Sequence, residues 1–574
     1  MTDNASPNVA LYGKLLLFMS GMGGLLYGID VGIIAGALLY LEKTISLTVE
    51  QTGFIVAAVL GGSMFSSLVA GILADWFGRK TMMIVSAVMF VASVALIVVS
   101  QGFLPLFLGR LLQGMSGGVI AVVVPLYLAE CLSAKIRGKG TAMFQLMLTF
   151  GIVVAALLGL YYTHGAESAI AAAAGNEELI KAAQNHAWRG MFWSVIYPGI
   201  IFFLGAFFLS ESPRWLFRRG KKDQALAALR RSCSEEEAQL EMSEMESMAH
   251  ETPQKTVSGA TDSLLQRKYV IPFIIACVIL ACNQATGINS ILGFLVVILQ
   301  QAGMSASLAT QGDVAVKVLN CVMTLVAVAL VDKKGRKFLL KVGTSGIIIA
   351  LVAAALIFYS FESKRVDVKD KVQAAMSAGG LNIPVNEATL GPAVEGRPMA
   401  LTILYSYGAG DRIATALSNA ADPVLRMEPD PNAPDKLPVI RRAFYGPVPT
   451  EATGWLVTAC MCLFIAAFSV GPGVVVWLAL SELMPTRIRS TGMGIALLLN
   501  QGVSTAIAAV FLPTVGNFGY SAMFLFWAAC TVIYFITAAF FLPETKGKTL
   551  EEIEEYFEKG KIAPDHHLPQ ESTR

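Results

Sequence analysis

Three charged side chains stand well inside long apolar runs of this sequence: Asp30, Arg110 and Lys317. A charge at the centre of a membrane helix costs ~2.5–3.5 kcal/mol on insertion scales, so each needs a partner or a wet cavity. Asp30 lies in the first apolar run and Arg110 in the fourth, and the two form the obvious ion pair. Burial disfavours the charged carboxylate and a nearby guanidinium favours it, so such a pair has two states separated by one proton. If a rearrangement parts the pair, it loads a proton; if nothing parts it, it only locks its helices. Lys317 can pair with Asp313 at i−4, snorkel outward along its stem, or line an outer vestibule and favour an acidic substrate. No histidine falls in the core of an apolar run, so a histidine relay is not expected. No nucleophile–base set and no metal-ligand spacing is present, so the expectation is no enzyme, no metal and no cofactor. The eight cysteines, most of them within apolar runs, read as small buried hydrophobes without a disulfide framework.

These charges require membrane helices to hold them, and the composition supplies the material. Of 574 residues, 55% are hydrophobic and 15% charged, against about 25% charged in soluble chains. The mean hydropathy is +0.62. The net charge of +2 is too small to suggest nucleic acid. Apolar runs of ~20 residues match the length that crosses ~30 Å of hydrocarbon. They predict an all-α membrane protein with twelve transmembrane helices. The first six fall at about 11–40, 51–73, 81–101, 104–129, 140–162 and 188–209. The second six fall at about 269–300, 313–331, 338–360, 453–483, 489–513 and 520–542. The first run is too long for a cleavable signal.

Short loops near 74–80, 130–139, 332–337 and 484–489 are rich in Lys and Arg, while the opposite short loops near 41–50, 302–312 and 514–519 carry only Lys43. The excess of positive charge places both termini in the cytoplasm. The same loops reveal a repeat. DWFGRK at 75–80 and DKKGRK at 332–337 each follow the second helix of a set of six. Glu130 and Arg137 recur as Glu482 and Arg489 after the fourth helix, and Glu211 and Glu544 follow the sixth. Two six-helix halves follow from this order, an arrangement typical of secondary carriers. The expected domains are an N-terminal half at 1–210, a cytoplasmic helical linker at 211–268, a C-terminal half at 269–542 and a cytoplasmic tail at 543–574. Corner spacings show about 95 extra residues near 361–452 and about 19 near 163–187, both facing outside. The longer insert is proline-rich and of mixed charge, and reads as a small extracytoplasmic cap or a disordered loop.

The corners belong to a wider pattern: LLYGIDVGIIAGAL at 25–38, GRLLQG at 109–114, PLYLAE at 125–130, RGK at 137–139, ESPRWL at 211–216, QATGIN at 284–289, SEL at 481–483 and PETKGKTLEEIE at 543–554. Taken in order, they make the chain resemble the sugar porter family of the major facilitator superfamily, over about residues 11–360 and 453–560. The resemblance implies a major facilitator fold and a monosaccharide bound between halves that rock to alternate access. It also implies a multi-pass protein of the cell (plasma) membrane, in contact with lipid and monomeric. Proton-coupled members have Asp and Arg at the positions of Asp30 and Arg110, and facilitative members usually have Asn in place of the Asp. Symport is therefore the expectation; the alternatives are a facilitative uniporter and a non-transporting sugar sensor.

Sugar hydroxyls pair best with amides, which donate and accept together. The resemblance maps the sugar site to Gln145, Asn283, Gln284, Asn289, Asn320, Trp477 and Asn500. Asn283 stands where members usually have Gln, Gly293 and Phe294 replace a pair that often includes tyrosine, and Lys317 replaces a usual Gly. The corner residues Asp75, Arg79, Glu130, Arg137, Glu211, Asp332, Arg336, Glu482 and Arg489 are expected to bridge the halves when the inside is closed.

Overall fold

The computed structural model describes residues 7–132, 134–251, 266–379, 382–391, 396–408, 410–420, 423–427, 437–484, 489–544, 553, 556 and 557. The first half contains α1 (Pro7–Thr44), α2 (Val49–Phe77), α3 (Arg79–Val99), α4 (Phe103–Cys131) and α5 (Ala134–Ala172). Its sixth crossing is made of α6 (Glu177–Ser194) and α7 (Ile196–Phe207). Three short helices follow, α8 (Pro213–Arg218), α9 (Lys222–Ser232) and α10 (Glu235–Glu251). The second half opens with α11 (Arg267–Ala285) and α12 (Ile288–Gln301), one crossing broken at Gly287, then α13 (Ala306–Lys334) and α14 (Arg336–Glu362). After the long insert come α17 (Glu451–Val470), α18 (Pro472–Leu483) and α19 (Arg489–Ile536).

Eleven apolar helices long enough to cross a membrane are present among the described residues. The last runs from Gly492 to Phe541 and breaks at Gly519, where φ is 85° and ψ 169°, so it supplies two crossings. Twelve crossings result, in two halves of six.

The extra residues near 163–187 do not form a loop of their own. They lengthen α5 and α6 into a helical hairpin. The run AIAAAAG has high helix propensity, Gly175 turns the chain at φ 88°, and Asn176 caps α6 by accepting from the Glu178 and Leu179 N–H groups.

Close packing within the first half depends on small residues. On α1, Gly24, Gly28 and Gly32 recur every four residues and face α5. A Cβ on Gly28 would fall on the Leu148 carbonyl oxygen, and one on Gly32 would stand 2.8 Å from the Ala155 Cβ. Helices that share hydrocarbon with lipid gain from this approach, because packing rather than water release draws them together.

The long insert is a folded α/β layer. Its elements are β1 (Val366–Asp367), α15 (Lys369–Gly379), β2 (Asn382–Pro384), α16 (Glu387–Leu390), β3 (Met399–Ser406), β4 (Asp411–Leu417), β5 (Val424–Arg426) and β6 (Val439–Pro447). An antiparallel sheet runs in the order β1-β6-β3-β4, and β2 pairs with β5. Leu401, Ile403 and Tyr405 point into the layer's own core with Val372, Ile440 and Ala443. Leu404, on the opposite face of β3, joins the core of the helical bundle. The layer therefore rests on the bundle end opposite to the charged corners. It also reaches the first half: the Asp411 N–H donates to the Glu50 carboxylate at 3.1 Å, and Arg426 pairs with Glu177 at 3.6 Å.

Substituting Gly28→Ala overpacks a backbone contact with no side chain free to yield. A loss of ~1–3 kcal/mol is expected, measurable as a lower unfolding temperature in detergent, with Gly13→Ala, which meets open space, unchanged.

Candidate functional site

Asp30 on α1 and Arg110 on α4 are both essentially inaccessible, and they meet. The Arg110 Nη1 donates to Asp30 Oδ1 at a long 3.4 Å and to Gln113 Oε1 at 2.7 Å. Gln113, three residues along α4, was not anticipated, although i+3 spacing puts it on the same helix face. Among the described residues, Asp30 Oδ2 and Arg110 Nε have no hydrogen-bond partner. The guanidinium also lies 5.6 Å from the Phe192 ring centre. Arginine is thus held chiefly by an amide and a ring, and the carboxyl keeps one long bond and one idle oxygen.

Tyr27, nearly one turn before Asp30 on α1, lies near Ser63 of α2 and Gln501 of α19.

The amides gather around the break between α11 and α12. Gly287 adopts φ 83°, and a Cβ there would strike the Trp527 ring, so only glycine permits both the turn and the ring contact. Gln284 precedes the break and Asn289 follows it. The Gln284 Nε2 donates to Asn500 Oδ1 at 3.3 Å, and the Asn289 Nδ2 donates to Gln284 Oε1 at 2.9 Å and to Ser504 Oγ at 2.7 Å. The Asn500 Nδ2 donates to the Leu280 carbonyl at 3.0 Å. Asn283 is buried with Oδ1 unpartnered among the described residues.

Not every expected residue joins this cluster. Asn320 accepts from Ser469 on α17 at 2.8 Å, and Gln145 on α5 is exposed. The side chain of Trp477 lies outside the described residues, as do those of Arg137, Asp332, Glu482 and Arg489. Ser504 and Ser469 were missed; Ser504 follows Asn500 by four residues, a signal that helix periodicity carries, whereas Ser469 has none. Lys317 is fully buried and pairs with Asp313 Oδ2 at 2.8 Å, so the pairing expectation holds and the ammonium does not snorkel.

At the corner end, the Arg79 Nε and Nη2 each donate to a Glu130 oxygen at 2.9 Å, and Nη2 also reaches Asp75 at 2.7 Å. Ser212 donates to Glu130 as well. Glu211 Oε1 accepts the Arg79 and Lys80 backbone N–H groups at 2.9 and 3.1 Å, at the positive N-terminus of α3. The second half repeats the device, with Glu544 accepting from the Arg336 and Lys337 N–H groups at 3.0 and 3.1 Å. Gly78 and Gly335 precede these helices at φ 97° and 87°, and a Cβ on either would crowd its carboxylate.

A family profile described as "Sugar (and other) transporter" matches residues 16–392 and 440–557. The chain belongs to the sugar porter family. This sugar porter is 27% identical to the glucose transporter of Staphylococcus epidermidis over 94% of its own length and 96% of the relative's. It is 27% identical to the proton myo-inositol cotransporter of Homo sapiens over 94% and 81%. Its fold matches the xylose transporter of E. coli in a partially occluded inward-open conformation, with a TM-score of 0.65 at 21% identity, over 94% of this chain and all of that one. The protein is therefore a multi-pass membrane transporter of the major facilitator fold and not an enzyme. The profile's gap, residues 393–439, falls within the insert and spans β3, β4 and β5.

Glu130→Gln leaves the buried Arg79 without its bidentate anion and is expected to destabilise this sugar porter by ~3–5 kcal/mol. Asp75→Asn removes a contact whose side chain is 56% exposed and is expected to stay within ~1 kcal/mol. Thermal unfolding of the two variants in detergent checks the contrast.

Proposed function

We propose that this sugar porter moves a neutral monosaccharide or polyol inward together with a proton. The observation that carries the reading is the Asp30–Arg110 pair, buried in the bundle yet joined by a single 3.4 Å bond with one carboxyl oxygen idle. A tight bidentate pair would lock the helices; this one leaves an oxygen ready to take a proton. The relatives named for glucose and for proton-coupled myo-inositol transport support a ring rich in hydroxyls and a proton as its partner.

The sugar is assigned to Gln284, Asn289 and Asn500, and together with them to Asn283, Asn320, Gln145 and Trp477. The amide groups now bonded to one another would exchange those bonds for sugar hydroxyls. Tyr27, on the same helix as Asp30, lies near Gln501, which sits beside Asn500 in sequence. Asp75, Arg79, Glu130, Arg137, Glu211, Asp332, Arg336, Glu482 and Arg489 form the gate at the corner end. Among the described residues the Arg79, Glu130 and Glu211 bonds stay within the first half, as expected of a state open at that end. The protein acts as a monomer in the plasma membrane with both termini cytoplasmic. Its halves at 1–210 and 269–542 rock about the site, the helices of 211–268 lie beneath them, and the 361–452 layer lies outside.

Uptake into proteoliposomes, with and without an imposed pH gradient, tests the reading. At ~2.3 kcal/mol per charge per 100 mV, one proton supports roughly fortyfold accumulation at that potential. Asp30→Asn is expected to abolish accumulation while preserving sugar exchange; gradient-driven accumulation by this variant would sink the coupling assignment. Gln284→Ala is expected to weaken apparent sugar affinity roughly five- to 150-fold, because it leaves buried partners unpaired at ~1–3 kcal/mol each. Unchanged affinity would place the sugar elsewhere.

A further inference from the structure

Lys317 is a fully buried cation on a crossing helix, and its surroundings give it a role that the Asp313 pair alone does not explain. The face of α13 that carries Asp313, Lys317, Asn320 and Thr324 is polar and buried throughout. Those residues follow one another by four, three and four positions, which keeps them on a single stripe of the helix. The Lys317 ammonium donates to Asp313 on its own helix at 2.8 Å and to the Gly32 carbonyl of α1 at 3.2 Å. The first bond lies within the second half. The second crosses to the first half and lands two residues from Asp30.

Gly32 is held from both sides. Its α5 side meets Ala155, so α1 cannot retreat into its own half, and its carbonyl meets the ammonium from the other half. The two bonds respond differently to a motion of the halves. Asp313 travels with Lys317 and neutralises it in every state. The Gly32 carbonyl travels with α1, and an opening of only ~0.5 Å takes a 3.2 Å contact out of hydrogen-bonding range. Opening therefore leaves a neutral pair that is one hydrogen bond short in a buried place.

We infer that Lys317 is a state-selective latch: its ammonium holds α1 through the Gly32 carbonyl only while the halves are closed on the insert side. It thereby sets how readily the sugar and proton sites face that side. The inference rests on the alternating-access reading above. Lys317 is a positioning residue in this scheme and touches neither sugar nor proton. A charged donor lost from a buried bond corresponds to a shift of roughly ten- to 150-fold in the ratio of the two states.

Hydrogen exchange of the full-length protein in lipid nanodiscs tests the latch. The variant is Asp313→Leu/Lys317→Met, which removes both charges together and leaves none unpaired. Exchange is expected to rise about tenfold or more in peptides covering residues 41–49 and 301–309, at the insert side. It is expected to fall in peptides covering 77–82 and 130–139, because the corner side closes as the other opens. A merely structural pair gives a rise at both ends, and that outcome, or no change at either end, overturns the latch. Should the apolar variant fail to fold, Asp313→Asn/Lys317→Gln keeps a polar pair with a shorter donor and is held to the same opposed pattern. Sugar uptake by the wild type is scored separately, so a failure of the transport reading shows there and a failure of the latch shows in the exchange pattern.

Discussion

Hydrocarbon offers no hydrogen bonds, so each polar group on a crossing helix must find its partner inside the protein. The arrangement of the bundle follows from that constraint. Asp30 is tied to Arg110, and Arg110 to Gln113; Lys317 is tied to Asp313; Gln284, Asn289, Asn500 and Ser504 satisfy one another. The first and last sets join helices, and Lys317 does so through its further bond to the Gly32 carbonyl, so polar satisfaction and helix packing are one problem. The sets differ in how completely they are satisfied. The corner arginine is saturated by two carboxylates and a backbone carbonyl, whereas Asp30 keeps an idle oxygen. Incomplete satisfaction of a buried carboxylate is unfavourable, and it sets the Asp30–Arg110 pair apart from the corner ion pairs.

A second economy recurs at helix ends. Three times a glutamate at or just beyond the end of one helix accepts the first N–H groups of another, immediately after a glycine of positive φ. Glu211 does so after Gly78, Glu544 after Gly335, and Glu362 after Gly519, where it takes the Tyr520 and Ser521 N–H groups. The carboxylate meets the positive end of a helix and satisfies donors that otherwise have no partner. The first two mark equivalent places in the two halves. The third joins α14 to the last crossing at the opposite end, next to the insert. Glycine is required because the carboxylate occupies the space of a Cβ.

The insert adds a second kind of contact between the halves. Its chain leaves and re-enters the second half, yet Asp411 bonds to Glu50 and Arg426 pairs with Glu177 in the first. Burial and the neighbouring Glu50 raise the pKa of the Asp411 carboxyl, with Arg441 acting against them. This contact lies on the same side as the bond from Lys317 to Gly32, so both act on the same opening of the bundle.

Twelve crossings, two halves and the corner repeat were legible in the sequence because each rests on local pattern: runs long enough to span hydrocarbon, and charges at fixed offsets from helix ends. Asp30 with Arg110, and Lys317 with Asp313, were legible because a charge in an apolar run has few partners. The α/β layer was not, since three of its strands have only two or three residues, and β3 finds its neighbour β6 across an intervening stretch of more than thirty positions. Nor was the division of the amides legible: periodicity puts Gln284, Asn320 and Gln145 on helices but says nothing of which faces meet, and the fold joins the first to Asn500, the second to Ser469, and leaves the third exposed. The bond from Lys317 to Gly32 depends on a backbone carbonyl 285 residues away. Any residue presents such a carbonyl, so no pattern of side chains marks it, and only the packing of α13 against α1 decides that it forms.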